Sequence, residues 1–314
     1  MPAPVVVAEV VRSGFVEGHH HGSVVALAAD GSTAWSVGDA TSPVLPRSCN
    51  KPLQALGMVH AGLDLPPELL ALACASHSGE PFHLDGVRRI LALGDLDTDA
   101  LQTPPDYPLD DVAKLAAIRA GDEPSPLAMN CSGKHAAMLA TCVVNGWPTG
   151  SYPDPDHPLQ RALLRTVERL AGEQVTATGV DGCGAPLFAL TLAGLARAFV
   201  AIATAAPGTP EHRVAEAIRA NPAWLGGTRR DVTALIAGVP GLIAKDGAEG
   251  VYAAALADGS AVTFKVDDGA QRARPPIMVA ALRALGVDAP VFDELADVPL
   301  LGGGHPVGRV RAAF

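Results

Sequence analysis

The sequence contains little lysine, little cysteine and few aromatic residues. Only five of its 23 basic residues are lysines, its five cysteines are an odd number, and aromatic residues make up 4% of the chain. An odd number of cysteines argues against a disulfide framework and favours free, metal-bound or catalytic thiols. The segment "MPAPVVVAEVVRSGF" lacks the basic start and the long apolar run of a secretory signal. We therefore expect a cytoplasmic protein.

The charge and hydropathy of the chain argue against two classes of partner. A net charge of −10 disfavours nucleic acid and anionic membranes. The longest apolar stretch starts at Pro186 and carries Arg197 near its middle, which is costly in lipid, so it predicts a buried helix. With 48% hydrophobic residues, residues 1–314 are expected to form a single globular domain.

Strand and helix patterns occupy different parts of the chain. Short apolar, valine-rich segments and Asp-Gly turns predict strands in about 1–45 and 240–314. Helical spacing dominates about 46–239. This order predicts an α+β fold, with one antiparallel sheet built from both termini, packed with helices, and a helical middle region. Helices are predicted near 50–62, 66–75, 82–93, 110–120, 134–146, 157–173, 186–204, 209–220 and 274–286.

Ser48 and Lys51 are three residues apart at the start of a predicted helix. This spacing puts both side chains on one face, within hydrogen-bonding reach. A neutral lysine accepts a serine proton, which arginine does not, and the first amides of a helix stabilise an oxyanion. The pair therefore predicts Ser48 as nucleophile and Lys51 as its base. The alternative is an N-capping serine followed by a solvated lysine.

Two later segments extend this pattern: "ASHSGEP" at 75–81 and "AKDGAEG" at 244–250. Serine-lysine hydrolases of the penicillin-recognising class have an S-x-x-K, then a serine-containing loop, then K-[ST]-G on an edge strand. The same order predicts that Ser76 pairs with Lys245 as a proton relay. The alternatives are a helix-terminal turn at Ser76 and an exposed strand-end cation at Lys245. Asp246 replaces the hydroxyl residue of that class, which argues against recognition of a β-lactam carboxylate.

Two thiols lie in glycine-containing segments, Cys131 in "NCSGKH" and Cys183 in "GVDGCG". Two thiolates and a third group would hold zinc and leave one position open. Chemistry alone favours His135 as the third ligand, because a lysine must first lose a proton. The alternative is that both cysteines are small buried hydrophobic residues.

Together, "PRSCNK", "ASHSGEP", "NCSGKH", "GVDGCG", "KDGAEGV" and "KVDDGAQRA" resemble the asparaginase II family of the Rhizobium etli type, also called class 3 asparaginases. The resemblance covers nearly the full chain. It implies a fold similar to serine β-lactamases and glutaminases, a homodimer, and hydrolysis of L-asparagine to L-aspartate and ammonia.

The resemblance also implies roles for particular residues. Cys131, Lys134 and Cys183 match the zinc ligands of the family, so Lys134 replaces His135 in that set. Lys265 is an alternative to Lys245 as the partner of Ser76. The expected substrate-binding residues are Arg47, Cys49, Asp181 and His135.

We therefore expect a zinc-containing amidohydrolase that acts on L-asparagine through Ser48, Lys51, Ser76 and Lys245. One alternative is a glutaminase or another serine-lysine hydrolase of the β-lactamase or penicillin-binding type. The other is a non-catalytic zinc-binding or thiol-binding protein on the same fold. The residues do not distinguish asparagine from glutamine, since a single methylene separates these substrates.

Overall fold

The computed structural model describes residues 5–314, which contain one large antiparallel sheet. The strands are β1 Val5–Arg12, β2 Phe15–Leu27, β3 Thr33–Val37, β4 Pro43–Val44, β5 Thr178–Val180, β6 Pro186–Phe188, β7 Leu190–Thr191, β8 Ile243–Asp246, β9 Val251–Ala255, β10 Ala261–Val266, β11 Val298–Gly302 and β12 His305–Ala312. The large sheet has the order β11-β12-β1-β2-β10-β9-β8, and β3 pairs with β2. Its strands come from both ends of the chain and pair antiparallel, which confirms the predicted sheet.

The helices are α1 Lys51–His60, α2 Pro67–Ala73, α3 Pro81–Ala92, α4 Asp111–Ala120, α5 Ser132–Asn145, α6 Pro158–Ala171, α7 Leu192–Ala203, α8 Pro210–Ala220, α9 Pro222–Leu225, α10 Asp231–Gly238, α11 Arg274–Ala284 and α12 Val291–Ala296. All nine predicted helices are present, and α9, α10 and α12 were not predicted. The predicted start of α7 at residue 186 is wrong, because the helix begins at Leu192 and residues 186–191 contain two short strands. A short apolar run gives no periodicity that separates a buried strand from a buried helix.

The middle of the sheet is buried on both faces. Every residue of β9 is buried, and β10 has only Lys265 partly exposed. Helix α7 packs against β9 and β10, and α11 packs against the same two strands. This double cover explains why β9 is apolar along its whole length rather than alternating.

The predicted buried helix in the apolar stretch is confirmed as α7, whose Leu192, Leu195 and Phe199 are fully buried. Arg197 lies at its margin, where Nε donates to the carbonyl oxygen of Ala171 at 2.8 Å. Among the helices in residues 5–314, none has the length and hydropathy needed to cross a membrane.

Candidate active site

Ser48 lies in a short 3-10 helix, Arg47–Asn50, that leads directly into α1. Arg47 has a φ of 50°, in the left-handed region that non-glycine residues rarely adopt. A Cβ on Gly247 would lie 2.9 Å from the carbonyl oxygen of Pro46 and 3.3 Å from Sγ of Cys49. The turn after β8 therefore presses closely on the helix that carries Ser48. Such local strain is concentrated at functional sites.

Lys51 is buried, with 1% of its surface exposed. Its Nζ donates to the carbonyl oxygen of Ala75 at 2.6 Å, to Oγ of Ser76 at 2.9 Å and to Sγ of Cys131 at 3.1 Å. The predicted hydrogen bond to Ser48 is not among these contacts, and the alternative of a solvated lysine is wrong. The long lysine side chain carries its amine past the serine on its own helix and into the neighbouring segment.

The predicted pair of Ser76 and Lys245 is also not formed. Lys245 is fully buried on the edge strand β8, so it is no exposed strand-end cation. Its Nζ donates to the backbone oxygen and to Oδ1 of Asp246, both at 2.6 Å. A buried ammonium needs a counter-ion, and the adjacent carboxylate supplies it. Burial lowers the pKa of Lys245, Asp246 raises it, and the charge of Lys51 lowers it further.

Lys265 does not contact Ser76 either. Its Nζ donates to the carbonyl oxygens of Glu249 and Val266, both at 2.6 Å. Glu249 has a φ of 56° and lies 3.7 Å from the Arg47 guanidinium. Lys265 thus holds the turn between β8 and β9, and this turn contacts the helix of Ser48.

Ser48 and Ser76 line one cleft of about 310 Å³. Its other walls are formed by Leu109, Asp110, Asp111, Asn130, Arg230, Asp246, Gly247, Ala248, Gln271 and Arg274. A larger groove of about 460 Å³ between α1 and α6 has no serine, cysteine or lysine on its walls. The smaller cleft is therefore the candidate active site.

The thiols of Cys131 and Cys183 meet Lys134 in one buried cluster. Lys134 Nζ donates to Sγ of Cys183 at 3.2 Å, and Cys131 Sγ lies 3.0 Å from Oδ1 of Asn130. A hydrogen bond from Cys131 lowers the pKa of Cys183 far below the usual thiol value, although burial opposes this. Burial lowers the pKa of Lys134, but the neighbouring sulfurs raise it more, so the net shift is upward. These shifts give a thiolate next to an ammonium.

The chemical types of the side chains in this cluster are suited to bind zinc. The structure brings together the two thiols and the amine named by the resemblance, and Nε2 of His135, also buried, has no hydrogen-bond partner within residues 5–314. In the same part of the chain, no group of three or more His, Cys, Asp or Glu side chains is placed to hold a metal ion. A zinc site here therefore requires Lys134 as a neutral third ligand.

The four expected substrate-binding residues lie outside the walls of the cleft. Arg47 Nε donates to Oδ1 of Asp181 at 2.9 Å. Cys49 is fully buried and donates to the carbonyl oxygen of Lys245 at 3.0 Å. His135 Nδ1 lies 2.7 Å from the hydroxyl of Tyr152. In this structure they support neighbouring segments, and their role in substrate binding stays a prediction.

The cleft also contains residues that sequence reasoning missed, chiefly Asn130, Arg230 and Arg274. Asn130 directly precedes Cys131, so the thiol motif could have drawn attention to it. Arg230 and Arg274 are two of eighteen arginines, and nothing in their local sequence distinguishes them.

Two buried histidines hold the segment that carries Ser76. Nδ1 of His77 accepts from the amide of Gly79 at 3.1 Å, and its Nε2 lies 2.8 Å from Oγ of Ser132. His83 Nδ1 accepts from the amide of Glu80 at 3.2 Å, while its Nε2 donates to the carbonyl oxygen of Ala223 at 2.9 Å. Both rings are neutral, since burial lowers the pKa of His83 to about 4 and that of His77 well below its usual value.

This arrangement predicts a loss of stability in mild acid. The unfolded state binds a proton at His83 below a pKa of about 6.5, whereas the folded state binds it only near 4. The stabilisation is thus complete above about pH 6.5 and is lost as the pH falls towards 4. At pH 5, His83 should contribute a loss of about 2 kcal/mol in the free energy of unfolding relative to pH 7.5.

Urea denaturation at both pH values tests this expectation. His83→Gln should show a smaller difference between pH 7.5 and pH 5 than the wild type, with a residual difference from His77. His19→Gln, at an exposed position in β2, is the control and should behave as the wild type. Equal pH dependence in His83→Gln and wild type would contradict the assignment of a neutral His83.

Comparison with known proteins finds no curated protein that is significantly similar in sequence to the chain. Among solved structures, a β-lactamase from Mycobacterium bovis aligns with a TM-score of 0.48 and 15% identity, over 85% of this chain and 95% of that one. Mglu in its native form aligns with a TM-score of 0.46 and 12% identity, over 85% of this chain and 65% of that one. The model of one family, L-asparaginase II, matches residues 8–312. The chain therefore belongs to the L-asparaginase II family.

Proposed function

We propose that this protein hydrolyses L-asparagine to L-aspartate and ammonia through an ester on Ser48. Membership of the L-asparaginase II family supports an amidohydrolase. The observation that carries the proposal is that two serines share one cleft while the buried Lys51 donates to the second of them, Ser76, at 2.9 Å. A hydroxyl beside a buried amine is the arrangement that activates a nucleophile.

In the proposed first step, Ser48 Oγ attacks the carboxamide carbon of the substrate. Its proton passes through the Ser76 hydroxyl to Lys51, which acts as the base once it has released the proton that it donates to Ser76 in this structure. The C–N bond then breaks, ammonia leaves with a proton returned along the same path, and an aspartyl ester remains. Water attacks the ester, and Ser48 regains its proton as L-aspartate is released.

Backbone amides near Ser48 are suited to stabilise the tetrahedral intermediates. The amide of Ser48 lies in the first turn of its 3-10 helix, where backbone N–H groups have no partner within the helix. Ala248 lies on the cleft wall in the turn after β8. We assign the amides of Ser48 and Ala248 as the oxyanion hole.

Zinc belongs to the proposal as a group held by Cys131, Lys134 and Cys183. When bound, it would supply a fixed positive charge that orients the substrate beside Asn130. Lys51 contacts Cys131 as well as Ser76, so the ligand cluster and the proton path share one side chain. The family resemblance supports one further part of the proposal, a homodimer, and the cytoplasmic location stays a prediction.

The test combines ammonia release with trapping of the ester. The purified protein is given L-asparagine, L-glutamine and a β-lactam, and ammonia or ring opening is measured. Rapid acid quenching and peptide mass spectrometry then locate the aspartyl group. We expect turnover of L-asparagine and an ester on the peptide that contains Ser48. An ester on the Ser76 peptide would reverse the two roles, and absence of activity on both amides would refute the asparaginase.

A further inference from the structure

The wall of the cleft that carries Asp246 is rich in cations. The carboxylate of Asp246 is 3% exposed and receives hydrogen bonds from Lys245, from Arg230, and from Arg274 Nη1 at 3.4 Å. Asp231 is the other carboxyl group of this cluster, 3.9 Å from Arg274. Burial raises the pKa of Asp231 and favours its neutral form. Three cations thus face at most two negative charges.

Arg230 is carried by a segment that is tied firmly to the Ser76 motif. Thr228 donates to Glu80 through its amide and its hydroxyl, both at 2.8 Å, and Ser78 Oγ donates to the carbonyl oxygen of Gly226 at 2.9 Å. Gly227, with a φ of 133°, approaches so closely that a Cβ there would lie 2.0 Å from Oγ of Ser78. This fixes Arg230 relative to Ser76.

Arg230 also has unused hydrogen-bonding capacity. One of its terminal nitrogens, Nη2, donates to Asp246, while Nη1 is buried without an acceptor within residues 5–314. Arg274 also has a buried nitrogen without an acceptor, Nε, but its Nη1 donates to the carbonyl oxygen of Gly247 at 2.9 Å, and its side chain is 6% exposed against 18% for Arg230. A buried guanidinium N–H without an acceptor is uncommon, and a carboxylate is the ligand that suits it best.

We infer that Arg230 binds the α-carboxylate of the substrate and so orients the side-chain amide towards Ser48. The inference rests on the proposed function, because it takes an α-amino acid as the substrate. Arg230 becomes a specificity-determining residue: amides that lack the α-carboxylate lose this contact. Arg47, by contrast, is paired with Asp181 and lies off the cleft wall.

The first test is titration calorimetry with L-aspartate, the product, which needs no turnover. We expect Arg230→Gln to weaken L-aspartate binding by about 10 to 100-fold, since hydrogen bonds to charged groups are among the strongest in proteins. Arg230→Lys should recover part of the loss by restoring the charge. The control is Arg161→Gln, whose arginine pairs with the exposed Asp156 and does not line the cleft, and it should bind L-aspartate as the wild type does.

The second test separates binding from structural damage. Activity is compared on L-asparagine and on 3-aminopropanamide, which lacks the α-carboxylate. Arg230→Gln should lose kcat/KM on L-asparagine by a similar 10 to 100-fold and retain the low wild-type value on the truncated amide. Equal losses on both amides would mean that Arg230 only supports Asp246, and this would overturn the inference.

Hydrolysis of L-asparagine and binding of L-aspartate test the proposed activity and the carboxylate site separately. If L-asparagine is not hydrolysed but L-aspartate binds in an Arg230-dependent manner, the carboxylate site stands and the asparaginase falls. If L-asparagine is hydrolysed and Arg230→Gln binds L-aspartate as tightly as the wild type, the asparaginase activity stands and the carboxylate site is refuted. Absence of L-aspartate binding to the wild type would also overturn the inference.

Discussion

Replacing Lys51 by methionine should lower kcat/KM for L-asparagine by about 10⁴-fold, in line with the loss of a base that activates a nucleophile. Lys51 is the amine that contacts Ser76, and methionine keeps much of its length while removing proton transfer. Without the amine, the proton of Ser48 has no final acceptor, and neither the formation nor the hydrolysis of the ester proceeds at a useful rate.

The substitution Lys51→Arg separates a base from a fixed charge. Arginine stays protonated in proteins, so it preserves the positive charge but does not accept the serine proton. We expect Lys51→Arg to be as inactive as Lys51→Met. An arginine variant with activity within tenfold of the wild type would show that residue 51 acts as a cation and not as a base.

A matched control comes from the same residue type on the surface. Lys114 lies in α4, none of whose residues is buried, and Lys114→Met should keep normal activity. Steady-state ammonia release measures all three variants, and circular dichroism confirms that each is folded at the assay temperature. Thermal unfolding of Lys51→Met is needed as well, because the substitution leaves the carbonyl oxygen of Ala75 without its present donor.

The sequence predicted the sheet well because its signals are local. The valine-rich run "VVVAEVVR" and the Asp-Gly turns near the C-terminus are properties of a few adjacent residues, and the segments that they predicted are strands of one sheet. The prediction of a helix over 186–191 is wrong because this apolar run does not alternate with polar residues, although β6 pairs with the nearby β5, and because β7 pairs with the distant β4. Local hydropathy carries no information about such partners.

For the candidate active site too, the sequence indicated important residues but not the partners with which they form hydrogen bonds. The scarcity of lysine pointed to Lys51 and Lys245, and both are buried beside the cleft. Their hydrogen-bond partners could not be predicted, because a long side chain ends where tertiary packing places an acceptor. Lys51 reaches Ser76 across 25 positions of sequence, and Lys245 stays with its neighbour Asp246. Arg230 depends on the segment 226–230 docking on the Ser76 motif, which a single sequence does not reveal.

The largest expected effect on stability is that of Asp246→Asn, a loss of about 3–5 kcal/mol in the free energy of unfolding. Asp246 is the shared counter-ion of Lys245, Arg230 and Arg274. Although burial opposes its ionisation, these cations hold the pKa of Asp246 well below its ordinary range. Asparagine has nearly the same shape but no charge, so the variant leaves three cations in a poorly solvated site.

Asp293→Asn is the matched control for this substitution. Asp293 pairs with Arg283 at 2.7 Å, but its side chain is 86% exposed, and exposed ion pairs contribute about 0–1 kcal/mol. Urea denaturation of the two variants compares the same chemical change in a buried and in an exposed pair. A loss below about 1 kcal/mol in Asp246→Asn would contradict the buried ion cluster, since Asp231, the other carboxyl group of the cluster, has its pKa raised by burial and is a poor substitute for Asp246.

The pH dependence of the free energy of unfolding of Asp246→Asn is a more specific test of the cluster than the size of the stability loss. The two arginines remain charged, so Lys245 is the cation of the cluster that can relieve the imbalance by losing its proton. Its pKa is already lowered by burial, and removal of Asp246 takes away the charge that raises it. In the variant, the unfolded state therefore binds more protons than the folded state below the lysine pKa of about 10.4, and stability rises with pH. The gap between wild type and Asp246→Asn should narrow between pH 7 and pH 9.5, whereas a gap that stays constant would mean that Lys245 keeps its proton without its partner.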